Sequence, residues 1–246
     1  MPEPTPLVLL HPFPLDAGVW APVAPLLAAD RELVTLEFPG LGAAPPVEAP
    51  SVDGFADQVA ERIAGMRSGR AAVCGLSLGG YAALSLAARH PGRAAALVLA
   101  NTRAEADTPE AAQGRHRSAA LVRESGTAPF LDDFIPRMVG PGDDAAREAA
   151  RAIADRQAPE GVARALEALA GRADRRADLP GIAAPALVIV GSEDALTPVH
   201  FSETLVAGLP DAELVIIEGA GHLTALERPA EFAAAVGAFL RASEAP

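Results

Sequence analysis

Ser77, Asp194 and His222 lie far apart in the chain but are of the types that together perform nucleophilic acyl chemistry. Ser77 sits in Gly75-Leu76-Ser77-Leu78-Gly79-Gly80, between the apolar run Ala71-Ala72-Val73-Cys74 and the helical pattern Tyr81-Ala82-Ala83-Leu84-Ser85-Leu86-Ala87-Ala88. A serine between glycines on a strand-to-helix turn is the G-x-S-x-G nucleophile elbow. Such a turn is tight enough to strain the serine, and bulky neighbours would collide with strand and helix. It also exposes the hydroxyl and aims the first N–H groups of the helix at whatever the serine attacks. In a chain this rich in glycine and alanine, an ordinary glycine-rich turn is the competing reading. Two further segments weigh against it. The apolar run 186–190 leads into Gly191-Ser192-Glu193-Asp194, and the run 214–217 is followed by Gly219-Ala220-Gly221-His222. Both ionisable candidates fall just past the ends of expected strands, where open parallel sheets build their sites. Glu193 is the weaker candidate for the acid. His90, His116 and His200 lack that setting and read as solvated side chains.

The elements that must position these residues are legible as short runs of Val, Leu and Ile with little polar alternation. They are expected as strands near 7–10, 33–37, 71–75, 95–100, 186–190 and 213–217, buried on both faces as parallel strands are. Helical patterns fall near 18–29, 52–66, 78–90, 199–208 and 229–241, with Ser51 as an N-cap and Pro229 in a first turn. Only six residues precede the first strand, so the expected sheet is six-stranded and wholly parallel, without an opening antiparallel hairpin. Trp20 falls on the first helical pattern, which predicts a core or insertion contact.

Residues 103–182 interrupt the alternation and hold only helical patterns, with helix starts at Thr108-Pro109-Glu110 and Ala158-Pro159-Glu160. Phe130, Phe134 and Met138 recur at i, i+4 and i+8 as one apolar stripe, which either lines a substrate pocket or docks the insertion onto the core. Pro136 interrupts that helix and is expected to kink it. Arg103, Arg115, Arg117, Arg123 and Arg137 read as a solvated face in preference to an acidic-substrate site.

Composition narrows the function classes. The chain has 246 residues, enough for one large α/β domain with an insertion, and half of them are apolar. Its net charge of −12 argues against a nucleic-acid binder, which needs a basic face. All 20 basic residues are arginines, which excludes Schiff-base lysine chemistry and a Walker lysine. Cys74 is the only cysteine, so no intrachain disulfide forms; it is expected to pack as a small buried hydrophobe. The start Met1-Pro2-Glu3-Pro4-Thr5-Pro6 lacks the basic region of a secretory signal, and no apolar span of 18 residues occurs. The expectation is a cytoplasmic protein that binds neither membrane nor nucleic acid. No metal-ligand cluster is visible, and no metal or organic cofactor is expected.

The order of Ser77, Asp194 and His222 is that of the α/β-hydrolase triad. The whole chain resembles the α/β-hydrolase superfamily, and within it the small esterase-like and lactonase-like members (3-oxoadipate enol-lactonase-like or carboxylesterase-like). The resemblance rests on Leu7-Val8-Leu9-Leu10-His11-Pro12-Phe13-Pro14-Leu15-Asp16 with Trp20, then Phe38-Pro39-Gly40-Leu41-Gly42 and the segment around Ser77. It continues through Val190-Gly191-Ser192-Glu193-Asp194 and Gly219-Ala220-Gly221-His222 to Glu227-Arg228-Pro229. It implies an α/β core over 1–102 and 183–246, helices on both faces of the sheet, and a helical cap over 103–182. It also implies an oxyanion hole built by the N–H groups of Phe13 and Leu78. Where relatives have His-Gly after the first strand, this chain has His11-Pro12; Pro12 has no N–H, but Phe13 keeps its own. Some relatives place the triad acid at the position of Asn101, an amide here that cannot supply the charge. The implied activity is hydrolysis of a small-molecule carboxylic ester, lactone or other acyl substrate through an acyl-enzyme on Ser77. Other reactions of the same triad (acyl transfer or cyclisation, cyanohydrin cleavage, perhydrolysis) and a slow-turnover receptor role are the alternatives that fold and triad leave open.

Overall fold

The computed structural model describes residues 4–29 and 31–244; residues 1–3 of the proline-rich start lie outside it. From the first strand β1 (Leu7–Leu10) the chain passes through a 3-10 turn (Ala17–Trp20) and a single helical turn α1 (Ala24–Leu27) into β2 (Leu33–Leu36). Then follow α2 (Val52–Ala64), β3 (Ala71–Leu76), α3 (Leu78–Arg89) and β4 (Ala94–Ala100). The stretch between β4 and the next strand is helical: α4 (Pro109–Ser125), α5 (Ala128–Phe134), a 3-10 turn (Ile135–Arg137), α6 (Asp144–Ala154) and α7 (Pro159–Ala170). The chain closes with β5 (Ala186–Gly191), α8 (Val199–Gly208), β6 (Ala212–Ile217), a short α9 (Thr224–Glu227) and α10 (Pro229–Ser243).

All six expected strands form. They pair in the order β2-β1-β3-β4-β5-β6, and every pairing is parallel. β1, β3 and β5 are buried along their whole length, which explains their unbroken apolar sequence. The chain runs outward one way from β1 to β2 and the other way from β3 to β6. The crevice between the ends of β1 and β3 is therefore the topological switch point at which such sheets bind ligands.

Several local readings need correction. The helix expected over 18–29 breaks into the 3-10 turn and α1, because Pro22 lacks the N–H that a continuous helix needs there and Pro25 restarts the turn. Pro136 ends α5 more sharply than a kink: the backbone tightens to 3-10 geometry from Ile135 and Met138 leaves the stripe. α9 was not foreseen. The caps behave as read, with Ser51 Oγ accepting the Gly54 N–H at 2.9 Å and Thr108 Oγ1 accepting the Ala111 N–H at 3.2 Å. Trp20 is buried against Phe232 of α10, 6.1 Å between ring centroids, and so belongs to the core. Cys74 is buried in β3, and burial pushes its thiol up, as for an inert packing residue.

Candidate active site

Ser77 is the single residue between β3 and α3, and it turns the chain with φ 54° and ψ −108°. Positive φ in a residue with a Cβ is costly and persists only where the surroundings impose it. Here the Ser77 N–H donates to the Ala100 carbonyl at 2.9 Å. The Ser77 carbonyl accepts from the Tyr81 N–H at 3.0 Å and from the Thr102 hydroxyl at 3.0 Å. The flanking glycines are required by packing. A Cβ on Gly75 would sit 2.1 Å from the Gly79 carbonyl oxygen, one on Gly79 would lie 2.0 Å from the Leu10 oxygen, and one on Gly80 would strike Thr102 at 2.6 Å.

That close approach joins the loop after β1 to the start of α3, where the Gly79 N–H donates to the His11 carbonyl at 3.1 Å. Phe13 lines the cavity beside this contact and Leu78 is the buried first residue of α3; neither N–H has a protein partner among the described residues. The Phe13–Pro14 peptide is cis and sits in a turn closed by the Leu15 N–H on the Pro12 carbonyl at 3.0 Å. His11 is wholly buried. Its Nε2 accepts from the Phe38 N–H at 3.0 Å, so its Nδ1 carries the proton and donates to the Pro12 carbonyl at 3.0 Å. Burial lowers its pKa against that hydrogen bond, and the neutral ring works as a strut between the loops after β1 and β2.

Past β5 and β6 the two ionisable candidates meet. His222 Nδ1 lies 2.8 Å from Asp194 Oδ2 and 3.0 Å from Oδ1. The same carboxylate accepts from the N–H groups of Leu196 at 2.9 Å and Thr197 at 2.8 Å, the Thr197 hydroxyl at 2.7 Å and the Asn101 amide at 2.9 Å. Burial alone would raise the Asp194 pKa, but His222, Thr197 and Asn101 outweigh it and hold the carboxyl well below the usual range. An ionised Asp194 fixes the proton on Nδ1 and leaves Nε2 as the basic nitrogen. Glu193 is exposed, which leaves Asp194 as the acid the fold brings to His222.

Three supports of this pair escaped the sequence reading. Asn101, set aside there as an amide, takes φ 47° and bridges Asp194, the Gly221 carbonyl at 3.1 Å and the Thr224 hydroxyl at 2.6 Å. Thr197 also touches His222 Nδ1 at 3.2 Å. Glu227, met in the sequence only as part of a motif, is buried and accepts the N–H groups on either side of His222, from Gly221 at 2.9 Å and Leu223 at 2.9 Å. It also accepts the Gly140 N–H at 2.8 Å, so one carboxylate ties the histidine loop to the helical insertion.

Ser77 and His222 line one cavity of about 540 Å³ together with Phe13, Tyr81, Phe130 and Phe134. Phe130 and Phe134 stack 5.0 Å apart, and both lie within 6 Å of Phe13, at 5.9 and 5.8 Å. Met138 is not on this wall; it is buried, and its carbonyl accepts the His222 N–H at 2.9 Å. The solvated-face reading of the arginines holds for Arg117 and Arg123; Arg103 and Arg115 line the cavity half-buried, and Arg137 lines it while staying exposed. His90 is half-buried and pairs with Asp57 at 2.6 Å, so it is not simply solvated. No group of His, Cys, Asp or Glu among the described residues could hold a metal ion, and no helix there is long and apolar enough to cross a membrane.

A parallel sheet of this order, carrying a serine on a strained strand-to-helix turn with acid and histidine after later strands, defines the α/β-hydrolase class. The chain belongs to the alpha/beta hydrolase family, whose pattern it matches over residues 7–235. It is 34% identical to a pimeloyl-[acyl-carrier protein] methyl ester esterase of Aromatoleum aromaticum, over 92% of this chain and 94% of that one. It is 28% identical to 3-oxoadipate enol-lactonase 1 of Acinetobacter baylyi, over 98% and 90%. Among solved structures, a thermophilic esterase from Thermogutta terrifontis, described as malate bound, superposes with a TM-score of 0.94. It shares 31% identity over 98% of this chain and 91% of that one.

Proposed function

We propose that the chain, a carboxylic ester hydrolase by its family and relatives, cleaves a carboxylic ester or lactone through an acyl-enzyme on Ser77. The observation that carries this is the strained Ser77 turn opening into the cavity that also holds His222, itself locked to Asp194. His222 Nε2 takes the Ser77 proton as Oγ attacks the acyl carbon, and the N–H groups of Phe13 and Leu78 receive the charge on the carbonyl oxygen. The ester bond breaks as His222 returns the proton to the leaving alkoxide. Water, deprotonated by the same nitrogen, then releases the acid and restores Ser77. Asp194 holds the tautomer and steadies the imidazolium. Helices α4–α7 serve as the cap over residues 103–182, and Phe130 and Phe134 shape the acyl pocket and limit water. The relatives' names, an esterase of a methyl ester and an enol-lactonase, support ester-type acyl bonds as the target.

The test is hydrolysis of a p-nitrophenyl ester series, C2 to C12, by the wild type and Ser77→Ala. Turnover that falls by at least about 10⁴-fold in the variant supports the reading. Turnover that survives in folded Ser77→Ala overturns it.

A further inference from the structure

The chain leaves β4 and enters α4 through a charged cluster that borders the same cavity. Asp107, with 1% of its side chain exposed, receives Arg103 Nη2 at 2.7 Å, Arg115 Nε at 2.5 Å and Arg172 Nη1 at 2.7 Å. Guanidinium groups do not lose their proton in proteins, so three positive charges surround one negative charge. The Glu105 carboxylate forms no ion pair with any of the three among the described residues. Asp133 and Arg137 line the cavity too, but they face each other at 3.5 Å, exposed at its rim. A local positive surplus in a chain of net charge −12 is not a background property.

The three arginines do different things. Arg172 is buried with both Nη groups engaged: it donates to the Leu169 and Glu105 carbonyls at 3.1 Å each and lies over the Tyr81 ring at 4.4 Å. Arg103 and Arg115 keep 18% and 22% of their side chains exposed, and both line the cavity. Arg103 engages Asp107 through Nη2 and covers the Phe201 ring at 4.9 Å. Arg115 engages it through Nε alone. Nη1 of Arg103 and both Nη groups of Arg115 therefore have no protein partner among the described residues. Asp107 holds the two forks in place without neutralising them. Partly enclosed, unsatisfied guanidinium donors match an anion with two coplanar oxygens. The site is next to the chemistry: Arg103 follows Thr102, whose hydroxyl holds the Ser77 carbonyl, and Tyr81 lies one helical turn after Ser77.

We propose that Arg103 and Arg115 bind a carboxylate carried by the substrate, so that the preferred esters or lactones are anionic. This deepens the serine-hydrolase reading and rests on it for turnover, but binding tests the site separately. The first experiment compares monomethyl adipate with methyl hexanoate, which share a six-carbon acyl chain and differ in the terminal carboxylate. A kcat/KM at least tenfold higher for the anionic ester is expected. Arg115→Gln should cut that ratio at least tenfold, chiefly through KM, and added salt should reduce it. Equal kcat/KM for the two esters, or an unchanged ratio in folded Arg115→Gln, overturns the proposal.

The second experiment titrates adipate, hexanoate and inorganic phosphate into the full-length protein calorimetrically, with no turnover required. Adipate binding that exceeds hexanoate binding, and weakens at least tenfold in Arg115→Gln, supports the site even if no ester is cleaved. Hexanoate binding as tightly as adipate, or phosphate binding more tightly than either, overturns a carboxylate site. If neither methyl ester nor any p-nitrophenyl ester is cleaved while adipate still binds through Arg115, the hydrolase reading fails and the anion site stands.

Discussion

Two buried aspartates beside one cavity show how the same side chain is put to opposite electrostatic use. Asp194 is surrounded by neutral donors, two backbone N–H groups, a hydroxyl and an amide, with His222 as the one partner able to become a cation. Its negative charge is held still but not cancelled, so the surplus acts on the imidazole. Asp107 is surrounded by three permanent cations. There the carboxylate is the minority charge, and the surplus acts on whatever enters the cavity. Both carboxyls are driven up by burial and then below their ordinary range by their partners, Asp107 by Arg115 and Arg172. Neutral donors leave a carboxylate's charge in place, whereas ionic donors reverse the sign of its surroundings.

The largest expected effect tests the first half of that contrast. Asp194→Asn should lower kcat on the best ester by on the order of 10⁴-fold, because an amide beside Nδ1 favours the wrong tautomer. A loss below tenfold would break the comparison. Asp107→Asn should cost stability instead, about 3 kcal/mol, since it leaves buried guanidinium groups facing one another. Calorimetry should show that as a melting temperature lower by several degrees, and pairing Asp107→Leu with Arg172→Met should recover part of it.

Glu227→Gln presents an amide NH₂ to backbone N–H groups. It should cost about 2 kcal/mol of stability together with part of kcat, measurable by denaturant unfolding and steady-state kinetics. Thr197→Val, which removes one hydroxyl from the Asp194 pair, should cost about 1 kcal/mol and lower kcat several-fold. The smallest effect is in acid. Both carboxyls have folded pKa values below their unfolded ones, so the stability they confer is complete above about pH 3.9 and is lost as pH falls through the folded values. Melting temperature should be flat down to about pH 4 and then fall, less steeply in Asp107→Asn.

What could be read in advance followed from local rules. Parallel strands buried on both faces announce themselves as apolar runs, and the ends of four of them carry Ser77, Asn101, Asp194 and His222. The elbow was legible because its glycines answer to close packing, a requirement visible as composition. Asn101 was judged on charge alone, although its use is geometric: it bridges loops that meet only after the sheet forms. Glu227 and Thr197 were hidden for the same reason, because their partners are backbone groups brought near by folding. Met138 left its stripe because Pro136 altered the helical period between them. Arg103 and Arg115 were read as solvated because periodicity says which face a residue takes, not whether a cavity lies beneath it.

The insertion is fastened to the His222 loop at two points. Met138 accepts the His222 N–H, and Gly140 donates to the carboxylate that also holds the neighbours of His222. A Cβ on Gly221 would come within 2.4 Å of the Gly140 nitrogen, so the two segments meet backbone to backbone. For anyone recombining parts of such enzymes, this makes residues 138–140 part of the foundation of the His222 loop. A chimaera that replaces the whole insertion should inherit a misplaced histidine, and one whose crossovers spare those residues should keep it in register.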